Sequence, residues 1–198
     1  MSYKIFTSLL PISILLFALP LCAASDFHPI GKISTWMKDE KKQRDLRLPF
    51  VTTLSTVDSS TRPYTCPIEI IKIGQKYGIF LFTKNGTRTV EHLHSNPFVT
   101  LGVYLPKTHR QIFITGKVVD APIGILEHTW KQMSRSKQSA FLNAEIFLRD
   151  RKSETLVPNT FLGYHLIPDQ VFFYTNETGK VPEKEQFTLE NNNCWSQQ

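Results

Sequence analysis

The stretch Thr83-Lys84-Asn85-Gly86-Thr87-Arg88-Thr89 carries the densest set of groups able to do chemistry in this sequence. It falls where an apolar strand pattern gives way to a helical one. Backbone N–H groups at a helix start have no acceptor within the helix, and the dipole there favours anions. The hydroxyls of Thr87 and Thr89 and the guanidinium of Arg88 add the donors that a phosphate takes. The same residues also read as a plain Asn-Gly turn followed by a threonine cap. Both readings stand at this point.

Other chemistries have little to start from. The sequence holds no Cys-x-x-Cys, no His-Glu-x-x-His, no nucleophile elbow and no Gly-x-x-x-x-Gly-Lys loop. His92 and His94 stand two apart, a spacing that points them in different directions on a helix. No metal site is expected. No single side chain stands out as a catalytic acid, base or nucleophile.

The elements that must position the Thr83–Thr89 segment come in quick succession. Ile33 to Arg47 reads as a helix with Ser34 or Thr35 as its cap, its charged part being a solvated face. Phe50 to Val57 is a β-branched strand ending in the turn cluster Asp58-Ser59-Ser60-Thr61. Tyr64 to Ile73 alternates and breaks at Gly74. Gly78 to Thr83 is almost continuously apolar, which fits a strand covered on both faces. A short helix over Thr87 to Ser95 stops at Asn96-Pro97, because the residue before proline avoids the helical region. Strands follow at Phe98–Leu105 and Gln111–Val119, then helices at Ile123–Ser134 and about Glu145–Glu154. A last strand, Tyr164 to Tyr174, is interrupted by Pro168-Asp169, and the tail beyond Thr175 is turn-rich. Short strands with helices between and after them predict a mainly β (α+β) antiparallel barrel.

The first twenty-four residues stand apart. Lys4 is their one charge, Ile5 to Leu21 is apolar, and Cys22-Ala23-Ala24 supplies small residues before Ser25. That is the layout of a signal peptide, so residues 1–24 are expected to be removed on export to a periplasmic or secreted location. An uncleaved anchor is the alternative. Residues 25–198 form one domain of ordinary size. The formal net charge of +6, one unit of it Lys4, is spread along the chain rather than gathered in a patch. A nucleic-acid partner is therefore not expected, nor a membrane once the leader is gone. An oxidising compartment would permit a Cys66–Cys194 bridge, although sequence alone does not bring the two together.

Taken in order, the segments from Leu54 to Val119 resemble the FMN-binding domain of the pyridoxamine 5'-phosphate oxidase family. The matching pieces are Arg62-Pro63-Tyr64, a strand ending in Ile70-Ile71-Lys72, Phe82-Thr83, Thr87-Arg88, Asn96-Pro97 and Arg110-Gln111. Ser136-Lys137-Gln138-Ser139 and the strand from His165 to Tyr174 extend the resemblance towards the C-terminus. It implies a six-stranded split barrel with flanking helices, FMN as cofactor and a homodimer that shares the cofactor site. It further implies that Thr87 and Arg88 hold the FMN phosphate, that Lys72, Phe82, Thr83 and Gln111 address the flavin, and that Gln138 and Ser139 reach it from the partner. Tyr174 stands where a tryptophan is usual. Read singly, each has a structural alternative: Lys72 as a strand-end lysine, Phe82 as core, Gln111 as an edge residue, and Gln138-Ser139 as the polar end of a helix.

The chain also departs from that family's pattern. Pro67 and Thr89 replace cations, and Glu69 adds an acid nearby. The helix expected to clamp the substrate phosphate is shortened between Trp130 and Gln138, and Lys180-Val181-Pro182-Glu183-Lys184 replaces the closing Arg-x-His-Asp-Arg. These changes point to an FMN-dependent oxidoreductase with a substrate other than pyridoxamine 5'-phosphate. The alternative is a secreted, non-enzymatic barrel that binds a flavin, haem or a protein partner.

Overall fold

In a computed structural model the described residues are 28–43, 51–68, 70–74, 78–142, 157–176, 179–191 and 194–198. The expected leader over 1–24 and the polar helix at 145–154 lie outside them. Helix α1 (Pro29–Gln43) is followed by strands β1 (Val51–Val57), β2 (Pro63–Pro67), β3 (Ile70–Gly74) and β4 (Gly78–Lys84). Then come α2 (Arg88–Ser95), β5 (Phe98–Leu105), β6 (Arg110–Asp120), α3 (Ile123–Gln132) and α4 (Arg135–Phe141). Strands β7 (Phe161–Thr175), β8 (Glu183–Leu189) and β9 (Trp195–Gln197) complete the order.

All pairings are antiparallel, and the sheet runs β2-β1-β5-β6-β7-β4-β3, with β8 and β9 added beside β7. Its two ends, β2 and β3, are separated in sequence only by Ile68 and residue 69. The chain itself joins them, and the Ile68 N–H donates to the Thr52 carbonyl at 3.1 Å. The sheet thereby returns on itself as a split barrel. Pro67 explains why the expected Tyr64–Ile73 strand is divided, since proline offers no N–H to a ladder. With β2 and β3 counted together the barrel has the six strands expected, and the tail adds the two that its turn-rich sequence hid.

Period-two alternation builds the core. Val99, Leu101, Val103 and Leu105 of β5 point inward, as do Ile112, Ile114 and Val118 of β6 and Leu166, Val171 and Phe173 of β7. On β4 Ile79 and Leu81 join that core, whereas Phe80 and Phe82 pack on the other side with Trp130 and Phe161. The strand is covered on both faces, as its continuous apolar run required. Strand β7 passes through Pro168-Asp169 as one strand because its pairing with β6 shifts there: Thr115 faces Gln170 and Gly116 faces Pro168, which leaves Asp169 as a bulge on β7. Gly116 is needed there: a Cβ would lie 2.2 Å from the Ile167 carbonyl oxygen.

Two local expectations are corrected. Helix α1 starts at Pro29, a turn before the expected start, with the Ile30 N–H donating to His28 Nδ1 at 3.3 Å. Ser34 and Thr35 therefore lie inside it, and Thr35 Oγ1 donates to the Gly31 carbonyl instead of capping. The helix face expected to be solvated also hides a fully buried acid, Glu40. Its carboxylate accepts the N–H groups of Lys107 and Thr108 and the Thr108 hydroxyl, at 3.0–3.1 Å. An acceptor-only group matched to three donors explains that burial. Cys66 is a free thiol 3.3 Å from Thr89 Oγ1 and is therefore not paired with Cys194.

Candidate functional site

The apolar run of β4 delivers Thr83 to the end of the sheet, where Asn85-Gly86 turns the chain into α2. The turn is fixed by the Asn85 N–H on the Thr160 carbonyl at 2.9 Å and by Gly86 N–H on Asn85 Oδ1 at 2.8 Å. Gly86 sits at φ +77°, in the left-handed region that glycine tolerates. Thr87 is the N-cap residue, yet its side chain makes no capping bond. Its hydroxyl lies 3.5 Å from that of Thr83. Arg88 follows, exposed, with its guanidinium 5.1 Å above the Tyr64 ring of β2. Buried Val90 and Leu93 hold α2 against the barrel, and Thr89 turns inward to Cys66. Thr83 and Thr87 are therefore brought together beside Arg88, at a helix start that the Thr87 side chain does not cap.

A second group forms elsewhere on the barrel. Gln111 of β6 is exposed and pairs in register with Tyr104 of β5 and Tyr174 of β7. The Tyr174 ring meets Phe113 edge-on at 5.7 Å. Beside them a shallow cleft of about 270 Å³ is lined by Thr53, Gly102, Val103, Tyr104, Gln111 and Phe113. Gly102 forms its floor, since a Cβ there would come 2.9 Å from Thr53 Oγ1. Sequence reading passed over Tyr104, Phe113, Thr53 and Gly102. The signal available was apolar residues at outward strand positions: Phe98, Tyr104 and Phe113 are 57%, 43% and 36% exposed.

The remaining candidates sit differently. Lys72 lies on β3, registered opposite Phe80 of β4. Phe82 is 4% exposed and stacked on Phe161, with centroids 5.2 Å apart and planes 5° from parallel. Gln138 is buried, and its amide donates to the Trp130 carbonyl at 2.8 Å, tying α4 to α3. Ser139 Oγ donates within its own helix to the Ser136 carbonyl at 2.7 Å. Helix α4 is N-capped by Ser134, whose hydroxyl accepts the Lys137 N–H.

The two groups stand far apart within one chain. Thr83 is registered with Leu162 near the start of β7, and Gln111 with Tyr174 near its end. The strand between spans roughly 40 Å at about 3.3 Å per residue. No single small ligand bridges that length along one chain.

The chain is similar to two curated proteins described as pyridoxine/pyridoxamine 5'-phosphate oxidase. The one from Paraburkholderia phymatum is 27% identical over 191 residues, 86% of this chain and 87% of that protein. The one from Pseudomonas fluorescens is 28% identical over 159 residues, 70% and 72% of the two chains. Among solved structures, PhzG from Burkholderia lata 383 in complex with tetrahydrophenazine-1-carboxylic acid has a TM-score of 0.69 at 20% identity, covering 86% of this chain and 91% of its own. A pyridoxamine 5'-phosphate oxidase-related, FMN binding protein from Nostoc punctiforme has a TM-score of 0.71 at 14% identity, covering 84% and 94%. No family model matches the chain. The resemblance read from the residues holds: these oxidases are relatives of the chain in sequence, and its fold is the split barrel of these structures.

Proposed function

We propose that this protein is an exported FMN-binding oxidoreductase that acts, as a homodimer, on a substrate other than pyridoxamine 5'-phosphate. The observation that carries the reading is the uncapped start of α2, where the Thr83 and Thr87 hydroxyls and the Arg88 side chain gather. A phosphate monoester fits that donor set: it takes several N–H and O–H donors at once and carries the charge that a guanidinium and a helix dipole favour. Thr87 and Arg88 would hold the phosphate, with Thr83 and Lys72 on the flavin side. The bound isoalloxazine would supply the electron transfer, and the protein the binding and orientation.

The dimer reading is supported by the separation of the two groups. Gln111 and Tyr174 can meet a ligand held by Arg88 only if they come from a second copy. The outer face of β5, β6 and β7 around them carries exposed rings at Tyr104 and Phe113, a surface suited to burial against such a copy. The altered substrate is supported by the segment between Trp130 and Gln138. Trp130 is buried there and Ser134 caps α4, so both serve packing where a phosphate clamp would stand.

Purified mature protein should be yellow and release FMN on denaturation, or take up added FMN stoichiometrically. Protein that remains colourless after FMN addition overturns the reading. Export is supported by the pattern of residues 1–24, and mass spectrometry of protein from its native host should find a terminus near Ala24.

A second reading, a cofactor-free binding barrel, draws on Gln138 and Phe82. Both make contacts inside the fold, Gln138 donating to the Trp130 carbonyl and Phe82 stacking on Phe161. Colourless protein that still dimerises would favour it.

A further inference from the structure

The sequence motif Arg62-Pro63-Tyr64 has no role assigned to it above, yet the structure brings its tyrosine directly beneath Arg88. We propose that Tyr64 is a positioning residue for the phosphate grip, holding the Arg88 guanidinium ready for an anion. The inference rests on the reading of Arg88 as the phosphate ligand and adds a residue to it.

An exposed arginine at a helix start samples many rotamers, and binding an anion must first restrict them. Here the guanidinium lies 5.1 Å from the Tyr64 ring centroid, within the range of a cation–π contact. Tyr64 is itself held from behind. Its ring meets His92 edge-on, with centroids 5.6 Å apart and planes at 79°. His92 is 8% exposed, and its Nδ1 lies 3.0 Å from the hydroxyl of buried Thr56. Arg88 and His92 are both on α2, while Thr56 is on β1 and Tyr64 on β2. The tyrosine is thus wedged between the two ends of one helical turn and fixed to the sheet. A guanidinium held over a ring face meets its π-cloud rather than an acceptor, so the contact orients the group without using the donors an anion needs. Such preorganisation has particular value here, because neighbouring positions offer Pro67 and an inward-facing Thr89 rather than cations.

The test measures binding of FMN and of riboflavin, which lacks the phosphate, to the full mature protein and its variants. Tyr64→Leu should weaken FMN by about three- to tenfold, the reach of a partly exposed cation–π contact, while riboflavin binding is unchanged. Tyr64→Phe keeps the ring and should bind FMN as wild type does. In an Arg88→Ala background Tyr64→Leu should have no further effect. If Arg88→Ala weakens FMN but Tyr64→Leu does not, the positioning role is overturned and the phosphate reading stands. If Tyr64→Leu weakens riboflavin equally, its role is merely structural and the proposal is again overturned. If Arg88→Ala leaves FMN affinity untouched, the reading of Arg88 falls and this inference with it.

Discussion

Glu40 of α1 and Thr108 of the β5–β6 turn are joined twice, since one carboxylate oxygen accepts both the backbone N–H and the hydroxyl of Thr108 at 3.0 Å. The other oxygen takes the Lys107 N–H at 3.1 Å. A fully buried acid thereby locks helix α1 to the turn that leads into Gln111.

Glu40→Ala should be among the most damaging single changes in the domain. It removes the acceptor for three donors and leaves a hole at the helix–barrel seam. Stranded buried donors cost about 1–3 kcal/mol each when no water replaces the partner. A loss of about 3 kcal/mol in urea unfolding, with little change in the slope, is expected. A loss within experimental error would mean that water substitutes fully for the carboxylate.

Arg88→Ala should weaken FMN by about 1.5–3 kcal/mol, the range for a charged hydrogen bond. The fold should survive, because Arg88 is exposed and the core residues of α2 are Val90 and Leu93. Fluorescence titration of the variant beside wild type measures it; equal affinities would remove Arg88 from the site.

Phe113→Asp should shift the protein towards monomer in sedimentation velocity and weaken FMN with it. Phe113 is 36% exposed and edges the ring of Tyr174 at the second group. A charge there would be desolvated against a second copy. A variant that stays dimeric would place the interface elsewhere.

FMN-loaded protein should oxidise pyridoxamine 5'-phosphate poorly. Pro182 and Lys180 stand where the resembling family has histidine and arginine, and Lys184 lies over Phe172 with its ammonium 5.3 Å from the ring. Missing orienting contacts lower transition-state binding as well as affinity. A kcat/KM of about 10⁴ M⁻¹s⁻¹ or more, the lower end for ordinary enzymes, would show the activity intact.

Stability should fall as pH drops below the ordinary histidine value of 6.5. Burial holds the His165 imidazole below that value, and His28 moves the same way. With the folded value depressed, the unfolded chain takes up protons first as pH falls. The contribution is therefore complete above pH 6.5 and is lost as pH falls through the folded value. His165 stacks on Phe80 with centroids 4.8 Å apart, so His165→Phe should keep the packing and flatten the acid limb of a stability–pH curve. An unchanged acid limb would assign the dependence to other groups.

Much of this protein was legible along the chain. Strand β5 falls on Phe98–Leu105 as read, because a period-two pattern between Asn96-Pro97 and Pro106 is local information. The same holds for β4, whose unbroken apolar run announces two covered faces, and for the turn that sets Thr87 and Arg88 at a helix start. The order of such segments was enough to indicate the split barrel. Tertiary structure decided the rest, since it depends on partners distant in sequence. Glu40 reads as one more solvated charge until the turn at Lys107 and Thr108, more than sixty residues on, supplies its donors. Gln138 matches a ligand-binding pattern, and only the fold shows that its amide also donates to the Trp130 carbonyl. Gln111 and Arg88 look like members of one site in sequence, and the length of β7 holds them apart. A linear pattern states which groups are present and which face of an element they take. Which donor meets which acceptor is set only when the sheet closes.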